Sequence, residues 1–122
     1  MVKSIAVIFG IVFIVIGILG FVPAIAPEGM LLKIFHVNAA HNAVHLATGI
    51  VALLCAMSGA GAARTFFQIF GIVYAIVAIL GFVKGDDINI WIISNNVADT
   101  WLHVVIAVVS LFLGFGTAKQ TA

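Results

Sequence analysis

The stretch Ile5-Ala6-Val7-Ile8-Phe9-Gly10-Ile11-Val12-Phe13-Ile14-Val15-Ile16-Gly17-Ile18-Leu19-Gly20-Phe21-Val22 holds no polar or charged side chain, and the apolar run continues to Ala26. A helix needs about 20 such residues to cross the hydrocarbon core of a bilayer. The high β-branched content would favour strands in water. In lipid, however, every backbone N–H and C=O must be paired within the protein, so only helices and closed barrels cross. Barrel strands alternate apolar and polar positions, and this run does not alternate. Three further runs of the same kind extend from about 37 to 60, 66 to 83 and 96 to 116. The composition agrees: the 122 residues are 65% hydrophobic and 7% charged, against roughly 25% charged in a soluble domain. Nine charged side chains (Lys3, Glu28, Lys33, Arg64, Lys84, Asp86, Asp87, Asp99 and Lys119) are too few to solvate the chain. The expected fold is an all-α membrane protein, a four-helix transmembrane bundle forming one domain over 1–122 with the lipid bilayer as its surroundings.

Lys3 followed by an apolar run ending Ala24-Ile25-Ala26 imitates a signal peptide and its small-residue cleavage site. The run exceeds the usual signal core of roughly 7–15 residues, and Pro27 would follow the cut, so the first helix is read as a retained span.

The chain repeats itself. Phe9-Gly10-Ile11-Val12 and Ile18-Leu19-Gly20-Phe21-Val22 recur as Phe70-Gly71-Ile72-Val73 and Ile79-Leu80-Gly81-Phe82-Val83, with nine of fourteen positions identical at an offset of 61. The following helices align at an offset of 58, matching Asn38 with Asn96, His41 with Asp99 and His45 with His103. Rare polar residues in register within apolar spans are strong signs of duplication. The units are about 5–60 and 66–117, two helical hairpins pointing the same way, so their pseudo-twofold axis runs along the membrane normal, as for parallel repeats. Each carries a half-apolar connector, Met30 to Phe35 and Ile88 to Ile93, expected to lie as an interfacial segment at the bundle mouth, with Lys33 and Trp91 as anchors. The glycines of helices 1 and 3 are expected to allow close packing in lipid.

Both termini and the 2–3 loop share one side, with Lys3, Arg64 and Lys119. The other side holds Lys33 and Lys84 beside Glu28, Asp86 and Asp87. Counting Lys and Arg by the positive-inside rule places the termini in the cytoplasm.

The chemistry lies in the first turns of helices 2 and 4. Asn38, His41, His45 and Gly49 share one helical face, as do Asn96, Asp99, His103 and Ala107. His45 and His103 lie seven residues in, roughly 10 Å along the axis, and an ionisable residue inside the membrane is by default a functional hypothesis. Two donors at i and i+4 chelate one ion. His41, His45, Asp99 and His103 are therefore expected to form a metal site between helices 2 and 4, near the non-cytoplasmic face. Three imidazoles and a carboxylate suit zinc or copper, and iron as well. Asn38, Asn42, Asn96 and Thr100 are expected to orient the imidazoles.

Three other readings stay open. The polar residues can simply hydrogen-bond helices 2 and 4 together in a non-catalytic scaffold, a homo-oligomer or a subunit of a larger membrane complex. His45 and His103 can serve as axial ligands to haem or a related pigment, with Gly49 relieving crowding against the ring. Asp99 and the histidines can titrate as a proton or ion relay. His36 and Trp101 read as interfacial side chains, Tyr74 and Gln68 as interhelical hydrogen-bonding groups, Cys55 as a small core residue and the phenylalanines as lipid-facing bulk. A single cysteine permits no intrachain disulfide and no thiolate cluster. A net charge of +1 without a basic patch argues against nucleic acid.

The strings Asn38-Ala39-Ala40-His41-Asn42-Ala43-Val44-His45-Leu46-Ala47-Thr48-Gly49 and Asn95-Asn96-Val97-Ala98-Asp99-Thr100-Trp101-Leu102-His103 resemble an uncharacterised bacterial family of small four-helix inner-membrane proteins, known only as a domain of unknown function. The resemblance covers nearly the whole chain. It implies a four-span fold in the bacterial inner membrane and carries no activity.

Overall fold

The computed structural model describes residues 2–32, 35–85, 88–90 and 93–116. Lys33, Trp91, Asp86, Asp87 and Lys119, with the side chain of His36, lie outside the described residues. Four helices form the bundle: α1 (Val2–Leu19), α2 (Ala39–Ser58), α3 (Ala60–Lys84) and α4 (Val97–Leu111), the last continued by a π-helical turn, Phe112–Gly116. All four helical segments are long and apolar enough to cross a membrane. The chain is a multi-pass α-helical membrane protein, as its composition implies.

The helices pair within each unit, α1 on α2 and α3 on α4, and the small residues of the sequence make the seams. A methyl group added at Gly49 would stand 2.6 Å from the Gly10 carbonyl oxygen, so backbone meets backbone where α1 crosses α2. Farther along the same seam Gly20 lies against the Asn42 side chain, and in the second unit its counterpart Gly81 lies against Thr100, the counterpart of Asn42. Side chains larger than hydrogen at these points would force the helices apart, which is why membrane interfaces favour glycine. The outer surface is a field of aliphatic side chains, with Ile8, Ile11 and Val15 of α1 and Ile69, Ile72 and Ile76 of α3 all exposed.

Between α2 and α3 the chain turns on one residue. Gly59 closes α2 and opens α3 at φ 130°, ψ 174°, a backbone conformation that glycine adopts without a steric penalty. The expected 2–3 loop therefore does not exist, and Arg64 sits inside α3. Its Nε donates to the Gly114 carbonyl oxygen at 2.8 Å, and Gln68 Nε2 donates to the same oxygen at 2.9 Å. The π-helical turn departs from the α-helical hydrogen-bonding pattern, and these two side chains supply partners for this carbonyl.

The connectors take a form that the sequence reading left open. Each forms a small antiparallel hairpin: β1 (Met30–Leu31) pairs with β2 (Phe35–His36), and β3 (Ile88–Ile90) with β4 (Ile93–Asn95). α1 ends at Leu19 rather than near Ala26, and turns through Pro23 and Pro27 bring the chain into the first hairpin. Leu31 packs there with Ala26 and Val37 in a buried cluster that caps the end of α1. The phenylalanines divide. Phe13, Phe66 and Phe67 are buried and Phe9 packs among them, ring to ring, while Phe21, Phe82, Phe112 and Phe115 are exposed. Only the second group is lipid-facing bulk. Cys55 is half-buried against the first cluster, as expected of a small packing residue.

Candidate functional site

Two matched helix starts build the site. Asn38 precedes α2 in extended conformation and its Oδ1 accepts the His41 N–H at 2.9 Å. Asn96 does the same for α4, accepting the Asp99 N–H at 2.9 Å, while Asp99 Oδ2 accepts the Asn96 N–H at 3.0 Å. That reciprocal pair is a capping box, which satisfies two backbone donors at the helix end. The caps fix where each helix begins, and hence which side chains of the next three turns face inward.

Those side chains are His41, His45 and Thr48 on α2 and Asp99, His103 and Ala107 on α4, all buried. His41, His45 and His103 are only 3%, 5% and 4% exposed. The His41 ring centroid lies 5.0 Å from that of His45 and 6.2 Å from that of His103, so one imidazole stands beside both others. Phe13 of α1 stacks on His45 at 4.9 Å, and Tyr74 of α3 lies 5.6 Å from His103. Phe13 and Tyr74 are equivalent positions of the repeat, as are His45 and His103. Each unit thus presents a histidine from its second helix against an aromatic ring from its first, and the two aromatic rings meet edge-on at 6.0 Å.

The polar groups are incompletely satisfied. Nδ1 of His45 and Nδ1 of His103 are buried without a hydrogen-bond partner. An unpaired buried polar atom costs about 1–3 kcal/mol, so two in one cluster call for a partner in the working protein. Two cavities flank the rings. One of about 90 Å³ lies between α2 and α3 and touches His41, His45, Thr48, Tyr74 and His103. The other, about 70 Å³, lies towards the first hairpin and touches His41, Asn42, His45 and Asp99. Tyr74 and Thr48 face each other's helices across the first cavity and both line it.

Of the four residues expected to bind metal, the structure brings the three histidines together and gives Asp99 a backbone role in the capping box. Among the described residues no group of three or more His, Cys, Asp or Glu side chains is gathered closely enough to hold an ion. The His41 and His45 centroids stand 5.0 Å apart, and His103 lies farther from His41, at 6.2 Å. Imidazoles bound to one tetrahedral metal at ~2.1 Å carry their ring centroids roughly 5 Å apart. The asparagines expected to orient imidazoles act otherwise. Asn38 and Asn96 cap helices, and the Thr100 hydroxyl bonds the Asn96 carbonyl and the Asn95 side chain. Gly49 faces Gly10 rather than a ring system. Tyr74 is the residue that sequence reasoning undervalued; the signal available was its alignment with Phe13, which places it opposite a histidine. Trp101 is exposed and stacks edge-on against Phe82 at 5.1 Å, in keeping with an interfacial anchor.

Fold and site together define a class: multi-pass helical membrane proteins with a cluster of imidazoles buried towards one end of the bundle. Residues 3–116 match the family described as Domain of unknown function (DUF4383), and the chain belongs to that family. Comparison with curated proteins and with solved structures gave no match.

Proposed function

We propose that this is a metal-binding protein of the bacterial inner membrane, a single domain of two parallel repeats whose termini lie in the cytoplasm. Its ion, zinc or copper, is held by His41, His45 and His103, with Asp99 close by to offset the charge. The observation that carries the reading is the pair of buried, partnerless Nδ1 atoms of His45 and His103 in a cluster where the His41 ring neighbours both. Three neutral imidazoles are a sufficient donor set for Zn²⁺ or Cu²⁺. Ring rotations that aim the free nitrogen atoms at one point would complete the site. A single ion also suits the space better than haem. The cavity touching both His45 and His103 is about 90 Å³, whereas sites for large organic groups start at roughly 300 Å³.

Elemental analysis of the purified protein tests the reading. Zinc or copper near one per chain is expected, falling sharply in His41→Ala, His45→Ala and His103→Ala and little in His36→Ala. Chelator should lower thermal stability, because ion-binding energy is folding energy. If no metal co-purifies, none binds on addition, and chelator leaves stability unchanged, the cluster only locks helices and the scaffold reading replaces this one.

A further inference from the structure

The duplication creates two equivalent clefts, and the chain closes only one of them. The α2–α3 cleft, about 90 Å³, is drawn together by the one-residue turn at Gly59. No such link joins α1 to α4. Among the described residues α1 packs on α2 and α3, and α3 on α2 and α4, whereas α1 and α4 hardly meet. The groove left between them measures about 310 Å³. Its rim, formed by Ile8, Val12, Val105 and Val109, is exposed on the outer surface, and its inner wall is Phe13 and His45, both buried.

We infer that the α1–α4 groove is a lipid site, which seats one acyl chain of a phospholipid against Phe13 and His45. Its dimensions select the occupant. The lining runs along α1 from Ile5 to Ile16, roughly 16 Å at 1.5 Å per residue. Spread over that length, a volume of about 310 Å³ is a tube roughly 5 Å wide. Carbon atoms in contact stand about 3.5–4.0 Å apart, so a single methylene chain is about 4–5 Å wide. A methyl-branched chain would need a wider tube, and a helix with its side chains is about 10–12 Å across. The walls also exclude a second helix, from another copy or a partner, because they are built of isoleucine, valine, leucine and phenylalanine beside His45. Helices that pack in lipid meet on small residues, and this lining has none. Left empty, the groove would deprive Phe13 and His45 of neighbours on one side, and an acyl chain restores those dispersion contacts. The chain thereby reaches the imidazole cluster, since Phe13 stacks on His45 with ring centroids 4.9 Å apart. The site needs no ion and does not depend on the metal reading.

Photolabelling in phosphatidylcholine vesicles tests this, using phosphatidylcholine with a diazirine midway along one acyl chain and mass spectrometry to map the adducts. Phe13 is only 4% exposed, so chains lying on the outside of the bundle do not reach it, whereas a chain in the groove does. Wild type should carry adducts on Phe13. Tyr74, its counterpart in the repeat, is 6% exposed and lines the smaller cleft; it should be labelled at least tenfold less. Val12→Trp and Ile106→Phe, which fill the tube from opposite walls, should each cut Phe13 labelling at least tenfold. Ile72→Trp, on the exposed face of α3, should leave it unchanged. Phe13 labelling no greater than that of Tyr74, or wild-type labelling of Phe13 in both groove-filling variants, would overturn the lipid site.

Discussion

Replacing Gly49 by alanine tests the seam on which the site depends. The added methyl carbon would stand 2.6 Å from the Gly10 carbonyl oxygen, 2.7 Å from Ile14 Cγ1 and 3.0 Å from the Ile14 nitrogen. Two of these neighbours are backbone atoms of α1, so no rotamer change relieves the contact and the helices must separate. Ordinary contact begins near 3.4 Å, which sets the required displacement at roughly 0.8 Å. A gap of 0.5–1 Å forfeits about a quarter to a half of the dispersion energy of each contact along the seam. Overpacking of this kind costs about 1–3 kcal/mol, and the helix propensity gained from alanine returns at most about 1 kcal/mol. The net expectation is a loss of about 1–2 kcal/mol. It should appear in a reversible unfolding titration in mixed detergent micelles, as a lower midpoint at unchanged slope. Gly61→Ala is the matched control, since nothing lies within 4 Å of the added carbon there, and it should be neutral or slightly stabilising. Because Phe13 rides on α1 and stacks on His45, Gly49→Ala should also weaken metal binding although it touches no ligand. Gly49→Ala with wild-type stability and wild-type metal affinity would refute the close-crossing account.

Other outcomes follow from the same geometry. Epitope tags after Glu28 and after Asp86 should be labelled from the same side of the membrane, with a tag at the N-terminus reporting the other side; opposite labelling of the two connectors would exclude parallel repeats. Asn96→Ala removes half of the capping box and should destabilise the protein by about 1 kcal/mol, visible in the same micelle titration; no change would mean that the α4 start is held by other contacts.

The spans were legible because hydrocarbon imposes one rule on every backbone polar group, and long apolar runs have one answer to it. Their ends were less so. α3 starts at Ala60 rather than Phe66 because Arg64, which looks like a loop residue in the sequence, finds the Gly114 carbonyl across the bundle, beside Gln68. Nothing local in the sequence announces a partner 50 residues away. The histidines were legible through their register, since helical spacing alone puts His41 and His45 on one face. Asp99 has a second use that its register did not announce. Its register matches His41, but a carboxylate three residues after an asparagine cap also completes a capping box, and the backbone donor beside it has first claim. Whether Phe13, Phe67 or Phe82 faces lipid could not be read from an almost uniformly apolar helix, where the amphipathic signal has nothing to contrast with.

The one-residue turn at Gly59 has a mechanical consequence. The two units are joined at that end by the turn itself, and beside it Arg64 and Gln68 on the Gly114 oxygen hold α3 to the end of α4. His45 lies fourteen residues away along α2, roughly 21 Å at 1.5 Å per residue. Relative motion of the units therefore pivots at the Gly59 end, and the histidines ride at the far tip of a long lever. A rotation of about 5° at the pivot would shift His45 by roughly 2 Å over that length. That is as far as a ligand bond is long. A loose hinge would scatter the three rings, whereas a one-residue fulcrum lets the shape of one end of the bundle set the spacing of the imidazoles at the other.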